Sequence, residues 1–170
     1  QFEAAVIELR NVLQESPGNV PARVLLGRVF LEQDKPREAA AELEKGLELG
    51  GDQNLILVPL GQAYLQLLEP EKVLTGVIPP RTDAVVDGEV LLLHGDAALL
   101  LGDLNYAARS FAGARERLSA DSRPLVGEAR IALARGRGEL ADELIGAALE
   151  SDPDSLGAWT LKGMVHRDRG

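Results

Sequence analysis

The sequence lacks cysteine, long apolar runs and an excess of basic residues, and each absence excludes a class of protein. Without cysteine there are no disulfides, thiolate metal sites or thiol nucleophiles, although the cellular compartment stays undecided. No apolar run approaches the roughly 18 residues of a membrane span, and the amino end, QFEAAVIELRNVL, lacks the basic region and cleavage site of a signal peptide. We therefore expect no redox chemistry and no membrane insertion in this segment.

Acidic residues outnumber basic ones along the whole chain. Lys and Arg total 18 against 27 Asp and Glu, which gives a net charge of −9. Nucleic acid and anionic lipid are therefore poor partners, whereas a basic stretch on a protein partner would be attracted. An apolar content of 45% and a mean hydropathy of −0.03 are sufficient for a folded core.

Small and large apolar residues recur at a spacing of about 34 residues. The second helix of each unit carries Ala5, Ala39, Val73, Ala107 or Ala141, with Leu9, Leu43, Val77, Phe111 or Ile145 four residues later. The first helix carries Gly27, Gly61, Gly95, Ala129 or Gly163, with Arg23, Leu57, Leu91, Leu125 or Trp159 four residues earlier. A small residue at this place lets the two helices of a hairpin approach closely.

Turn signals separate the helices of each unit. They are Asp34-Lys35-Pro36, Glu69-Pro70, Gly102-Asp103 and Gly136-Arg137-Gly138. One unit is irregular, because Pro79-Pro80 must end its second helix early, and we expect residues 81–88 to form an extended link. We also expect Pro59 to bend the helix that contains it.

These residues resemble the tetratricopeptide repeat pattern, W-x₂-L-G-x₂-Y, then A-x₃-F and a closing P, most closely at 159–163 and 26–30. The resemblance implies an all-α, right-handed superhelical solenoid of about ten helices in antiparallel pairs. Four full repeats would span 20–53, 54–87, 88–121 and 122–155, preceded by one second helix (1–16) and followed by one first helix (156–169). Since both ends fall within the pattern, we expect a fragment of a longer chain.

The resemblance also implies that the first helices line a concave, partner-binding face. One polar residue per repeat is flanked there by two aliphatic ones, which suits an extended segment or an amphipathic helix. The candidate positions are Val24, Arg28, Leu31, Val58, Gln62, Leu65, Leu92, Asp96, Leu99, Val126, Arg130 and Leu133. The alternative is that these aliphatic residues are buried against the chain's own helices. Some family members bind a chaperone's carboxyl end through Lys and Asn, but Val24 and Arg28 disfavour that ligand.

Catalytic and metal-binding patterns are nearly absent. His94 and His166 are about two repeats apart, so they cannot form a metal pair, and the Gly136-Arg137-Gly138 turn lacks the features of a phosphate loop. Arg109, Arg115 and Arg117 give one helix a basic face that we expect to pair with nearby carboxylates. Trp159 and Tyr64 hold core positions of the repeat. The sequence predicts no enzyme, no cofactor and no metal site.

The sequence therefore predicts a non-catalytic scaffold that binds a protein or peptide partner. Two alternatives remain: a docking or regulatory segment of a larger enzyme, and a structural spacer whose truncated repeat ends could self-associate. The residue composition of the chain and its stretch 149–154 are also similar to those of tetratricopeptide proteins from bacterial exopolysaccharide and exosortase-type sorting systems. That similarity favours the periplasm or cell envelope without identifying a compartment or a partner.

Overall fold

The computed structural model describes residues 2–169, and this part of the chain forms ten α-helices and no strand. The helices are α1 (Phe2–Glu15), α2 (Val20–Glu32), α3 (Pro36–Glu48), α4 (Gln53–Gln66), α5 (Pro70–Gly76), α6 (Ala84–Leu101), α7 (Leu104–Arg117), α8 (Arg123–Ala134), α9 (Gly138–Ser151) and α10 (Leu156–Arg169). The all-α class and the number of helices predicted from the repeat are confirmed.

The chain divides into two compact units, Gln1–Val86 (unit 1) and Asp87–Gly170 (unit 2). In unit 1, α2 packs against α1, α3 and α4. In unit 2, α8 packs against α7, α9 and α10. Each unit thus contains first helices that contact both their own second helix and the next first helix, which is the packing of helix-hairpin repeats.

The turn within each helix pair has the same backbone conformation at intervals of 34 residues. Residues 34, 68, 102 and 136 all have a positive φ, of 55°, 56°, 76° and 70°. At the first of them, the Asp34 N–H donates to the Leu31 carbonyl at 3.0 Å and the Lys35 N–H donates to the Phe30 carbonyl at 2.9 Å. The other three turns repeat these two hydrogen bonds, which satisfy the last carbonyls of the first helix.

The left-handed residue of this turn provides a paired test of stability. Leu68 is 73% exposed, so its side chain gains little from packing, while its positive φ is unfavourable for any residue with a Cβ. We expect Leu68→Gly to raise the free energy of unfolding by about 0.5 to 1 kcal/mol, and Gly102→Ala to lower it by a similar amount. Urea denaturation of both variants measures this. Changes of the same sign would show that the turn conformation is not what decides their stability.

The small residues of the first helices allow the close approach predicted from the repeat. A methyl group placed on Gly27 of α2 would lie 2.6 Å from the Leu43 Cγ of α3. The Phe111 ring of α7 is 1% exposed and lies against Gly95 of α6 and Gly127 of α8, where an added methyl group would meet the ring at 2.5 Å on either side. These contacts confirm the interpretation at Gly27 and Gly95.

The irregular unit differs in part from the prediction. Helix α5 ends at Gly76 after seven residues, as Pro79-Pro80 requires. The expected extended link at 81–88 is wrong from residue 84 onward, because α6 already begins there. Asp83 provides the reason: its Oδ1 accepts hydrogen bonds from the N–H groups of Val85 at 2.8 Å and Val86 at 3.1 Å, which caps the helix. Helix α4 continues through Pro59 from Gln53 to Gln66.

The expectation that Trp159 belongs to the core is wrong, whereas Tyr64 is buried as predicted. Trp159 is 51% exposed, and its Nε1 donates to the Pro153 carbonyl at 2.8 Å. Arg23 occupies the same repeat position in unit 1, donates likewise to the Pro17 carbonyl, and pairs with Glu42 of α3 at 2.6 Å. The described part of the chain provides no second helix after α10, and the indole is contacted instead by Lys162 of its own helix, whose Nζ lies 4.8 Å from the ring centroid.

Candidate functional site

The predicted binding residues lie on first helices in both units. Unit 1 holds Val24, Arg28 and Leu31 on α2 with Val58, Gln62 and Leu65 on α4, and unit 2 holds Leu92, Asp96 and Leu99 on α6 with Val126, Arg130 and Leu133 on α8. Val24 and Leu92 are only 7% and 6% exposed. These two side chains pack inside their units and leave almost no surface for a partner, as the alternative of self-packing anticipated.

In unit 1, α2 and α4 enclose a pocket of about 310 Å³. It brings together four of the six predicted residues of that unit. The lining residues are Arg28, Leu31, Glu32, Asn54, Leu55, Val58, Pro59 and Gln62. Four of these side chains are polar or charged, and the Thr82 hydroxyl donates to the Asn54 Oδ1 at 2.9 Å beside the pocket. We call this the α2–α4 pocket.

In unit 2, α8 and α10 enclose a larger and more apolar pocket of about 620 Å³, which we call the α8–α10 pocket. Its lining residues are Val126, Arg130, Leu133, Leu156, Gly157, Thr160, Leu161 and Met164. Sequence reasoning missed the α10 residues. The repeat length would have found two of them, since Thr160 and Met164 lie 34 residues after Val126 and Arg130. Leu156 and Met164 are 81% and 44% exposed, so their apolar surface is accessible.

The charges of the predicted stripe in unit 2 pair with each other. The Arg130 Nη1 lies 2.6 Å from the Asp96 Oδ1, an ion pair between two predicted binding residues that was not itself predicted from the sequence. Burial raises the pKa of the Asp96 carboxyl above its ordinary value, and the Arg130 guanidinium offsets part of that rise. A partner's acidic group would therefore have to compete with Asp96 for Arg130.

A second ion pair in unit 2 also joins residues that are 34 positions apart. The Arg123 guanidinium hydrogen bonds the Glu89 carboxylate through two nitrogens, one of them at 3.0 Å, and it also hydrogen bonds Asp121. These bonds lower the pKa of the Asp121 carboxyl. Residues one repeat apart thus face each other on neighbouring first helices.

No group of three or more His, Asp or Glu side chains that could hold a metal ion occurs in the part of the chain that the structure describes. His94 is buried, and its Nδ1 lies 3.0 Å from the Tyr106 hydroxyl, while His166 is exposed. Within the same described residues, no helix is both long and apolar enough to span a membrane.

Comparisons with known proteins identify similar sequences and folds. Two family models, both described as tetratricopeptide repeat, match residues 1–58 and 126–170, and together they cover more than half of the chain. The crystal structure of YrrB, described as a TPR protein with an unusual peptide-binding site, is 20% identical, with a TM-score of 0.73, and the match covers 95% of this chain and 84% of YrrB.

Two crystal structures of MamA are similar in the same way. Both are 18% identical over 89% of this chain; they have TM-scores of 0.75 and 0.73 and are covered to 89% and 83% of their own lengths. At these identities the likeness concerns the fold. No curated protein sequence matches this chain significantly.

Proposed function

Because this chain belongs to the tetratricopeptide repeat family, we propose that it is a non-catalytic scaffold that binds a peptide or helix segment of a protein partner on its first helices. The main supporting observation is that both units place a pocket between consecutive first helices at the same repeat positions. Arg28, Val58 and Gln62 line the pocket of unit 1, as Arg130, Thr160 and Met164 line that of unit 2. The peptide-binding site named for YrrB is consistent with this role.

The two pockets suit different groups on a partner. The α8–α10 pocket is lined mainly by aliphatic side chains, and Arg130 at its edge is already paired with Asp96. It therefore suits apolar side chains of the partner. The α2–α4 pocket carries Arg28, Asn54 and Gln62 and suits a polar or acidic group. Affinity would come mainly from the α8–α10 pocket, and the register of the bound segment would be set mainly by the α2–α4 pocket.

Site-specific photo-crosslinking tests which face binds. A photoreactive residue at Gln62 or Thr160, both exposed on first helices, is expected to crosslink a partner in cells of the source organism. The same residue at Glu38 or Ala41, both exposed on the second helix α3, is the control and is expected to crosslink much less. Equal crosslinking from both pairs would contradict the proposed face.

Once a partner segment is identified, its affinity separates the apolar contribution from the charged one. Leu133→Ala is expected to weaken binding by about 2 kcal/mol, roughly 30-fold, because Leu133 lines the α8–α10 pocket. Arg28→Gln, at an exposed position, is expected to cost about 1 kcal/mol or less. Isothermal titration measures both, and Leu49→Ala, an exposed leucine after α3, is the control. If Arg28→Gln weakened binding more than Leu133→Ala, the charged contact rather than the apolar one would supply most of the affinity, contrary to the proposal.

The two alternatives lead to different results in the crosslinking experiment. A docking segment of a larger enzyme would crosslink only other parts of its own polypeptide, and a spacer would crosslink nothing through its first helices. The similarity in residue composition to bacterial envelope proteins favours a scaffold that works in an exopolysaccharide or protein-sorting assembly. Identifying the crosslinked partner by mass spectrometry tests that setting directly.

A further inference from the structure

Unit 2 has another pocket, on the side of its second helices. Helices α7, α8 and α9 enclose about 240 Å³ there, which we call the α7–α9 pocket. Its lining residues are Ala108, Glu128, Ile131, Ala132, Arg135, Arg137, Leu140 and Leu144. Small-molecule sites usually have about 300 to 1,000 Å³. The α7–α9 pocket is smaller, and its size suits one or two side chains of a peptide.

The helices that enclose this pocket are balanced in charge although the chain as a whole is acidic. Residues 104–151 contain seven arginines and seven acidic residues, in a chain with a net charge of −9. Four of these arginines pair with acidic residues within the unit: Arg115 with Glu128 at 3.0 Å, Arg117 with Glu116 at 3.9 Å, Arg123 with Glu89, and Arg130 with Asp96. The charge accessible beside the pocket must therefore come from other arginines.

Arg135 and Arg137 supply that charge at one end of the pocket. Both are exposed, and both line the pocket. The Arg135 Nη2 donates to the Asn105 Oδ1 at 2.8 Å and to the Leu104 carbonyl at 3.3 Å, so its position is held by neutral oxygens and its charge is retained. A guanidinium held in this way presents its remaining N–H groups in a geometry that matches a carboxylate.

We propose that the α7–α9 pocket binds an acidic–aliphatic peptide segment of a partner protein. An aliphatic side chain of the peptide would lie against Leu140 and Leu144, and neighbouring carboxylates would pair with Arg135 and Arg137. Leu140 is 40% exposed, so part of this apolar wall is accessible. The two arginines favour an acidic partner. The apolar wall favours a peptide over nucleic acid, whose binding depends mainly on phosphate contacts.

This second site is independent of the scaffold function proposed above. It uses side chains of α7, α9 and the end of α8 that do not line the α8–α10 pocket. Either site can therefore fail its test without affecting the other.

Synthetic peptides test the proposal with the intact chain. The probe is a short fluorescein-labelled peptide that alternates glutamate and leucine, and its controls replace every glutamate by glutamine or every leucine by serine. Fluorescence anisotropy is expected to show binding of the first peptide that is about tenfold tighter than that of either control. Arg135→Gln with Arg137→Gln is expected to remove that advantage.

The repeat supplies a matched control for these variants. Lys35 occupies the position of Arg137 three repeats earlier, and its Nζ donates to the Gln33 Oε1 at 2.9 Å. Lys35→Gln with Arg37→Gln removes the same amount of charge from unit 1 and is expected to leave peptide affinity unchanged. Circular dichroism melting of all variants verifies that they are folded.

A charge swap distinguishes the site from a general attraction of anions. Arg135→Glu with Arg137→Glu is expected to lose the glutamate–leucine peptide and to bind a lysine–leucine peptide instead. Three results would overturn the proposal: equal binding of all three original peptides, equal loss of affinity with the unit 1 control variant, or binding of a single-stranded oligonucleotide as tightly as the glutamate–leucine peptide.

Discussion

Phe111→Ala is expected to lower the free energy of unfolding of unit 2 by about 3 to 5 kcal/mol, the usual cost of removing a fully buried aromatic ring. Phe111 is 1% exposed and lies between Gly95 of α6 and Gly127 of α8. The two glycines have no side chains that could move into the space left by the ring. The cavity would therefore persist between three helices, which places the expected cost towards the upper end of the range.

Trp159 allows the unfolding of unit 2 to be measured separately from that of unit 1. It is the single tryptophan of the chain and belongs to unit 2, so its fluorescence during urea unfolding reports that unit. Leu100→Ala, which removes a side chain that is 52% exposed on α6 of the same unit, is the control and should change stability by less than about 1 kcal/mol. A loss below about 2 kcal/mol for Phe111→Ala would mean that the helices can close around the missing ring.

Gly27→Ala is expected to destabilise unit 1 by about 2 to 3 kcal/mol, although alanine is the better helix former. The new methyl group would lie 2.6 Å from the Leu43 Cγ and 3.2 Å from the Ala39 carbonyl oxygen, so both a packed side chain and the backbone of α3 would have to shift. Unfolding monitored by hydrogen exchange of the α3 amides measures this cost locally. With Leu43→Ala added, the total loss should be smaller than the sum of the two single losses, because that substitution removes the atoms closest to the new methyl group.

Gly163 provides the matched control at the same repeat position. It lies 136 residues after Gly27, in the middle of α10, and a methyl group there would meet nothing within 4 Å. Gly163→Ala is therefore expected to stabilise unit 2 by about 0.5 to 1 kcal/mol through helix propensity alone. If both variants changed stability in the same direction, the close contact with α3 would not be the reason that position 27 is a glycine.

The sequence predicted the helices, the hairpin turns and the small residues because the repeat specifies them locally. The left-handed residues at 34, 68, 102 and 136 depend on hydrogen bonds that span at most five residues, so a short stretch of sequence determines each turn. The close contact of Gly27 with Leu43 joins the two helices of one hairpin, and the 34-residue pattern already placed those residues at fixed positions.

Predictions that depended on neighbouring helices were less successful. Trp159 matched a core position, but its burial requires a covering helix that the described part of the chain does not provide. Arg130 and Asp96 were predicted as separate binding residues, and the ion pair that joins them was not predicted. The helix start at Ala84 depended on one side chain, Asp83, that follows two prolines and belongs to no repeated pattern.

The repeat spacing does not show which of the predicted binding residues line a pocket and which are buried in the core. Single residues such as Leu31 and Leu92 look alike in the sequence, yet Leu31 lines the α2–α4 pocket while Leu92 packs into the core around Phe111. The difference arises from how far each side chain is from the next first helix. Periodicity gives the order of residues along a helix but not the distance between helices.

The ion pairs between residues 34 positions apart limit how such an array can lengthen by gene duplication. Glu89 faces Arg123 and Asp96 faces Arg130 because equivalent positions of successive repeats are neighbours. A tandem copy of one repeat would place each charge opposite an identical charge and so replace attraction by repulsion. A newly copied repeat would therefore be somewhat less stable until its charges had diverged in sign. Neighbouring repeats would then differ most at the polar positions of their first helices, while their turns and small residues could remain identical.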